Sequence, residues 1–159
     1  MNYLLGISGP LDTKKVETVF TFPLPPSYAN RQIHDGTVYV PETQSVFAAE
    51  PYSPKEGFSM QAIPFIWKLD LSDPAHPNTT KVYPSPPLTI ANGAYYHDVY
   101  VYWAQEGNYS TPASIVQMDL RTMRTKVVKN NFYGHRFNSL NDLVISVGDK
   151  AFFTDGYYG

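Results

Sequence analysis

The 159-residue chain contains no cysteine. That absence excludes a disulfide framework, a thiolate zinc site and a cysteine nucleophile. Charge of one sign is also scarce. Twelve basic and 14 acidic residues leave a formal net charge of −2, which argues against a nucleic-acid footprint and against an acidic tail. No apolar run approaches the roughly 18 residues that a membrane-crossing helix needs. The start, Met1 to Ile7, lacks the basic leading region of a secretory signal. The expectation is a chain with no membrane partner, cytoplasmic by default. No serine sits in a Gly-x-Ser-x-Gly context, so a serine-hydrolase reading finds no support. No segment sustains a 3.6-residue period, and little or no helix is expected.

What the chain has in quantity is Pro (14), Gly (10) and aromatic residues (15%). Short aromatic or β-branched runs punctuated by Pro and Gly mark an all-β protein. Val16–Phe22 alternates as a strand and is stopped by the prolines from Pro23. Thr37–Val40 runs into a turn at Pro41–Gln44 and returns as Ser45–Ala49. A loop from Pro51 to about Gln61 leads to a strand at Phe65–Leu71, and Lys81–Tyr83 forms a short strand in a Pro-rich connector. Further strands are expected at Ala91–Tyr96, Asp98–Ala104, Ser114–Leu120, Thr125–Val128, Asp142–Ser146 and Lys150–Thr154.

Repetition carries more information than any single strand. Ile66-Trp-Lys-Leu-Asp-Leu71 and Ile115-Val-Gln-Met-Asp-Leu120 share the pattern Ile-x-x-apolar-Asp-Leu, 49 residues apart. Strands beginning at Val46, Val101 and Ala151 recur at spacings of 55 and 50. A period near 50 built from four short strands reads as β-propeller blades. The expected organisation is an N-terminal segment with an edge strand over 1–30 and a partial propeller over 31–159. About three blades fit this length, whereas closed propellers have 4–8. Open blade edges would then invite self-association.

The C-terminal block Phe137-Asn-Ser-Leu-Asn-Asp-Leu-Val-Ile145, then Gly148, then Phe152-Phe-Thr-Asp-Gly-Tyr-Tyr-Gly159, resembles the Asn-Ser-Pro-Asn-Asp-Val-Val … Thr-Asp-Pro-x-Tyr-Gly block of the gluconolactonase/regucalcin family. His34–Thr43 is similar to that family's first-blade segment, and Ile90–Ala94 to the segment before its second blade, particularly in fungal members. The resemblance implies about three of six blades. It also implies metal-dependent hydrolysis of sugar lactones or similar cyclic esters, in which an oxygen-ligated cation polarises the lactone carbonyl. The implied partner is a small lactone, and the implied cofactor is a divalent cation: calcium, with magnesium or zinc as alternatives. Carried over by position, Asp35 falls on the first-blade metal ligand. Asn141 falls on the catalytic and substrate-contacting asparagine, and Arg136 on a substrate-contacting arginine. Leu140 and Gly156 stand where the family has proline. The family's remaining metal ligands would fall beyond Gly159, so the chain alone is expected to be inactive.

The residues by themselves leave plainer readings open. Asp35 can be a hairpin-entry aspartate, and Asn141–Asp142 can cap a loop entering a strand. Asp155 is expected to hold a turn rather than a metal. The four histidines, His34, His76, His97 and His135, show no metal-ligand spacing, though His34 could line the funnel. Asn78-Thr-Thr80 and Asn108-Tyr-Ser110 are formal glycosylation triplets. The alternative to an enzyme is a non-catalytic binding propeller or a degenerate, truncated paralogue. The plainest alternative is a truncated product without a stable fold.

Overall fold

The structure is a computed structural model and describes residues 36–49 and 65–157. The strand expected at Val16–Phe22, the loop from Pro51 to Gln61, and the residues His34 and Asp35 lie outside the described residues. The architecture is all-β. The helical content of the described residues is a single 3-10 turn, Pro41–Thr43.

Four antiparallel strands form the first sheet in sequential order: β1 (Val38–Val40), β2 (Ser45–Ala49), β3 (Ile66–Asp70) and β4 (Asn78–Val82). A second sheet repeats the arrangement with β5 (Ala91–His97), β6 (Tyr100–Gln105), β7 (Ser114–Asp119) and β8 (Thr125–Lys129). A small hairpin, β9 (Asn131–Phe132) and β10 (His135–Arg136), precedes a two-stranded pair, β11 (Leu140–Ser146) and β12 (Lys150–Asp155). The sheets do not close on one another. The two Ile-x-x-apolar-Asp-Leu segments are β3 and β7, the third strand of each four-stranded sheet.

Alternation along each strand stacks the sheets face to face, since successive side chains leave opposite faces. On β6, Val101 and Trp103 join Val40, Phe47 and Ile66 in a core between the first and second sheets. Ala104, one residue on, joins Ile115, Leu140, Leu143 and Ile145 in a separate core against β11 and β12, with Tyr102 packed on it. The second sheet is thus covered on both faces. Trp103 is fully buried at its centre. Among the described residues its indole N–H has no hydrogen-bond partner.

The repeated aspartates have a local task. Asp119 Oδ1 accepts from the backbone N–H groups of Arg121 (2.9 Å) and Thr122 (2.8 Å) and from the Thr122 hydroxyl (3.0 Å). Asp70 Oδ1 accepts from Ser72 N (2.9 Å) in the same way. Each carboxyl is held below its usual range, chiefly by those backbone donors. The period visible in the sequence therefore marks the strand-to-turn exit of successive sheets.

Two expectations need correction. Asp98 was expected to begin a strand, but Asp98 and Val99 form the β5–β6 turn with positive φ of 46° and 65°. A two-residue hairpin turn demands that left-handed backbone, and here no glycine announces it. The connector strand at Lys81 begins earlier, at Asn78, because β4 is an exposed edge whose Asn-Thr-Thr start carries no apolar alternation. No described helix is long and apolar enough to cross a membrane.

Candidate functional site

The first strands of the three sheets, β1, β5 and β11, lie side by side. Their starts share one end of the molecule, called here the entry end. Register places other segments there too. Ala91 at the start of β5 pairs with Gln105 at the end of β6, and Leu140 at the start of β11 pairs with Asp155 at the end of β12.

Two of these first strands are bulged at the same place. The β5–β6 register shifts between Ala91 and Ala94, and the β11–β12 register shifts between Leu140 and Leu143. The interrupted residues are Asn92–Gly93 and Asn141–Asp142. A bulge adds unpaired residues and re-aims the side chains they carry, so each strand presents an asparagine at its irregular point. Sequence reasoning singled out Asn141 and missed the role of Asn92, because a bulge leaves no trace in a single sequence.

Glycines let these points touch. A Cβ on Gly93 would overlap the Asp142 carboxylate, and would lie 2.7 Å from Asp142 Cα and 2.8 Å from Asn141 O. Gly36, with φ of +69°, sits against the carbonyl oxygen of Asn92. The backbones of β1, β5 and β11 therefore meet at the entry end through contacts that admit no side chain.

The asparagines differ in commitment. Asn92 is 7% exposed, and its Nδ2 donates to Glu106 Oε1 at 2.7 Å. Beside it, Gln105 Oε1 accepts from Thr89 N (2.7 Å), and Gln105 Nε2 donates to Ser114 Oγ (3.0 Å). Asn141 is half-buried, and no described residue hydrogen-bonds its side chain. Asp142 is turned to its own strand: Oδ1 accepts from Leu143 N (2.8 Å), and its backbone N–H donates to Thr154 Oγ1 (3.1 Å).

Asp155 holds a turn, as expected. Its Oδ1 accepts from Asn138 N (2.8 Å) and Ser139 N (3.0 Å), and Gly156 N donates to Ser139 O (3.0 Å). These bonds fix the approach to Leu140 and Asn141. Arg136 is exposed on β10, five residues before Asn141 in the chain. Asp35 lies outside the described residues, next to Gly36.

The opposite end is tied differently. His97 Nε2 lies 2.9 Å from Asp149 Oδ1, joining the β5–β6 and β11–β12 turns. The Tyr96 hydroxyl bonds Glu42 in the β1–β2 turn. Desolvation, with that carboxylate beside it, pushes the phenol up to about 12. His76 bonds Asp73 in an exposed turn, and His135 is exposed on β10.

Among the described residues no group of three or more His, Asp or Glu comes together to hold a metal ion. The amide of Asn92 and the carboxylate of Asp142 are already engaged. The described residues do not by themselves fit a divalent cation.

No family model matches the chain, and no solved structure matches it. Among curated proteins, the chain is 30% identical over 133 residues to a lactonohydrolase, oryL, of Aspergillus oryzae. The match takes in 79% of this chain and 28% of that protein.

Proposed function

We propose that this chain contributes three blades to a lactone-hydrolase β-propeller of the gluconolactonase type, with its entry end facing the substrate. The observation that carries the reading is the likeness to a fungal lactonohydrolase; beside it, Asn141 is half-buried, and no described residue hydrogen-bonds its side chain. The stacked antiparallel sheets, with β1, β5 and β11 side by side, support successive blades around an axis. The two four-stranded sheets supply the unit that a propeller repeats.

Hydrolysis adds water across the acyl C–O bond of the ring. The carbonyl oxygen gains negative charge at the tetrahedral stage, the ring oxygen leaves with a proton, and a hydroxy acid is released. On this reading Asn141 Nδ2–H donates to that developing charge, the kind of preorganised donor whose removal costs about 10²–10³ in rate. Arg136 supplies a planar cation to substrate oxygens and to the carboxylate product. Asp35 is the candidate cation ligand, with calcium the ion suited to oxygen donors. When bound, such an ion would polarise the lactone carbonyl.

Binding measured by thermal protection tests the reading, because a ligand that binds only the folded chain raises its melting temperature. Lactones should raise the melting temperature of the wild type and leave Asn141→Ala unchanged. Equal protection of both proteins would remove Asn141 from the site. Absence of protection by any lactone would favour a non-catalytic propeller.

A further inference from the structure

Asn108-Tyr-Ser110, in the loop between β6 and β7, has no part in the site described above. An Asn-x-Ser or Asn-x-Thr triplet without proline at x is the acceptor pattern for N-linked glycans. Asn78-Thr-Thr80 has the same pattern, so sequence does not choose between the two. Exposure does not choose either, since Asn78 and Thr80 are exposed as well as Asn108 and Ser110. Backbone conformation does.

The loop that carries Asn108 is a built turn. Gln105 and Ser114 pair across its base, and Gln105 Nε2 donates to Ser114 Oγ at 3.0 Å. Gly107 takes a φ of +80°, and a Cβ there would lie 2.5 Å from both Ala113 N and Thr111 O. Within the turn, Asn108 Oδ1 accepts from Ser110 N (2.9 Å), Ser110 Oγ (2.9 Å) and Thr111 N (2.8 Å). Asn108 N donates to Thr111 O at 2.8 Å. An asparagine that folds its side chain onto the backbone two residues on sets such a turn by itself. Each of these Asn108 bonds spans only two or three residues, so the turn needs no neighbouring sheet to form. Tyr109 stands fully in solvent beside it.

The other triplet is held straight. Asn78 pairs with Asp70 and Thr80 with Lys68 in the β3–β4 ladder. Residues two apart on a strand stand roughly 6.6 Å from each other, and no described hydrogen bond joins the Asn78 amide to the Thr80 hydroxyl. Glycan transfer needs the amide nitrogen and the hydroxyl two residues on presented together, which the bent triplet does and the extended one does not. The three donors on Asn108 Oδ1 also draw charge toward the oxygen and ease loss of a proton from Nδ2, which no described residue bonds.

We propose that Asn108 is an N-glycosylation site and that Asn78 is not. The donor is a lipid-linked oligosaccharide diphosphate. Asn108 Nδ2 bonds to C1 of the first sugar, the C1–O bond to phosphate breaks, the lipid diphosphate leaves with the electron pair, and one Nδ2 proton passes to the transferase. The glycan, a bulky and solubilising group, is thereby set on the loop that follows Gln105. The site is independent of the lactonase reading.

Such donors act in the secretory lumen, so the test expresses the full chain in yeast behind a cleavable secretion signal. Glycans are removed by an amidase in heavy-oxygen water, which leaves a labelled aspartate at each occupied asparagine, and peptides of the total cellular and secreted pool are weighed. The pool includes molecules that fail to fold. The label is expected at Asn108 and not at Asn78. Asn108→Gln and Ser110→Ala should abolish it, and Asn78→Gln should leave it unchanged. Gly107→Ala keeps the triplet but breaks the turn, and should lower Asn108 labelling severalfold. An unlabelled Asn108 would overturn the site. Asn78 labelled as fully as Asn108, or Asn108 labelling unmoved in Gly107→Ala, would overturn the conformational choice between the two triplets.

Discussion

Asn92 and Asn141 occupy the same position in neighbouring sheets, each opening a two-residue bulge in its first strand, 49 residues apart. One amide is fixed by Glu106 and buried; the other is half-buried and has no side-chain hydrogen bond to a described residue. The repeat therefore extends from the strands into the site, where equivalent positions have taken different tasks.

Gly93→Ala should destabilise the fold and disturb Asn141. The new methyl would meet backbone at Asn141 and Asp142, which cannot swing aside. Overpacking of this kind costs about 1–3 kcal/mol. Gly134→Ala is the comparison, since nothing lies within 4 Å of its Cβ position. It carries only the strain of a left-handed backbone, about 1–2 kcal/mol. Denaturant unfolding of both variants measures the stability losses. Amide resonances should shift at Asn141 in Gly93→Ala alone.

Tyr96 makes stability fall at high pH. Its folded value is raised to about 12 from an ordinary value of 10, so the neutral phenol is favoured in the folded state. The stabilisation is complete below about pH 10 and is lost as pH rises toward 12. Tyr96→Phe should be less stable than wild type at neutral pH, through loss of the Glu42 hydrogen bond. The gap should narrow between pH 10 and 12. A gap of constant size across that window would refute the assignment.

Asp119 acts at the acid end. Its carboxyl is held below its ordinary value by the backbone N–H groups of Thr122 and Arg121, which favour the charged form. The stabilisation is present above the ordinary value and is lost as pH falls through the lowered one. Asp119→Ala should unfold more readily than wild type at neutral pH. The two should converge below about pH 4, as thermal melts across that range would show.

Calcium tests Asp35. Added calcium should raise the melting temperature of the wild-type chain, a chelator should reverse the rise, and Asp35→Ala should abolish it. A melting temperature indifferent to calcium would remove the cation from this chain's account.

Much of the sheet order was legible because its signals are local. Pro41-Glu-Thr-Gln44 and Val147-Gly-Asp149 punctuate hairpins, and the Asp of each Ile-x-x-apolar-Asp-Leu segment turns the chain after the third strand. What escaped is set by non-local contact. The turn at Asp98–Val99 places a β-branched residue in a left-handed conformation, which local propensity disfavours. The β9–β10 hairpin has strands of two residues, too short for any alternation to show. Asn92 was visible only as a strand residue, since its bulge and its bond to Glu106 depend on where β6 and β11 pass. Asn141 and Arg136 were singled out only through a family resemblance, since local strand and turn signals do not mark them.

The most direct test of the account is to follow the Asn141 side-chain amide resonances of the isotope-labelled chain while a lactone is added. The account predicts saturable shifts at Asn141 and at entry-end residues, with His97 and Asp149 at the opposite end unmoved. Shifts confined to the His97–Asp149 end, or none at Asn141 at saturating lactone, would contradict it.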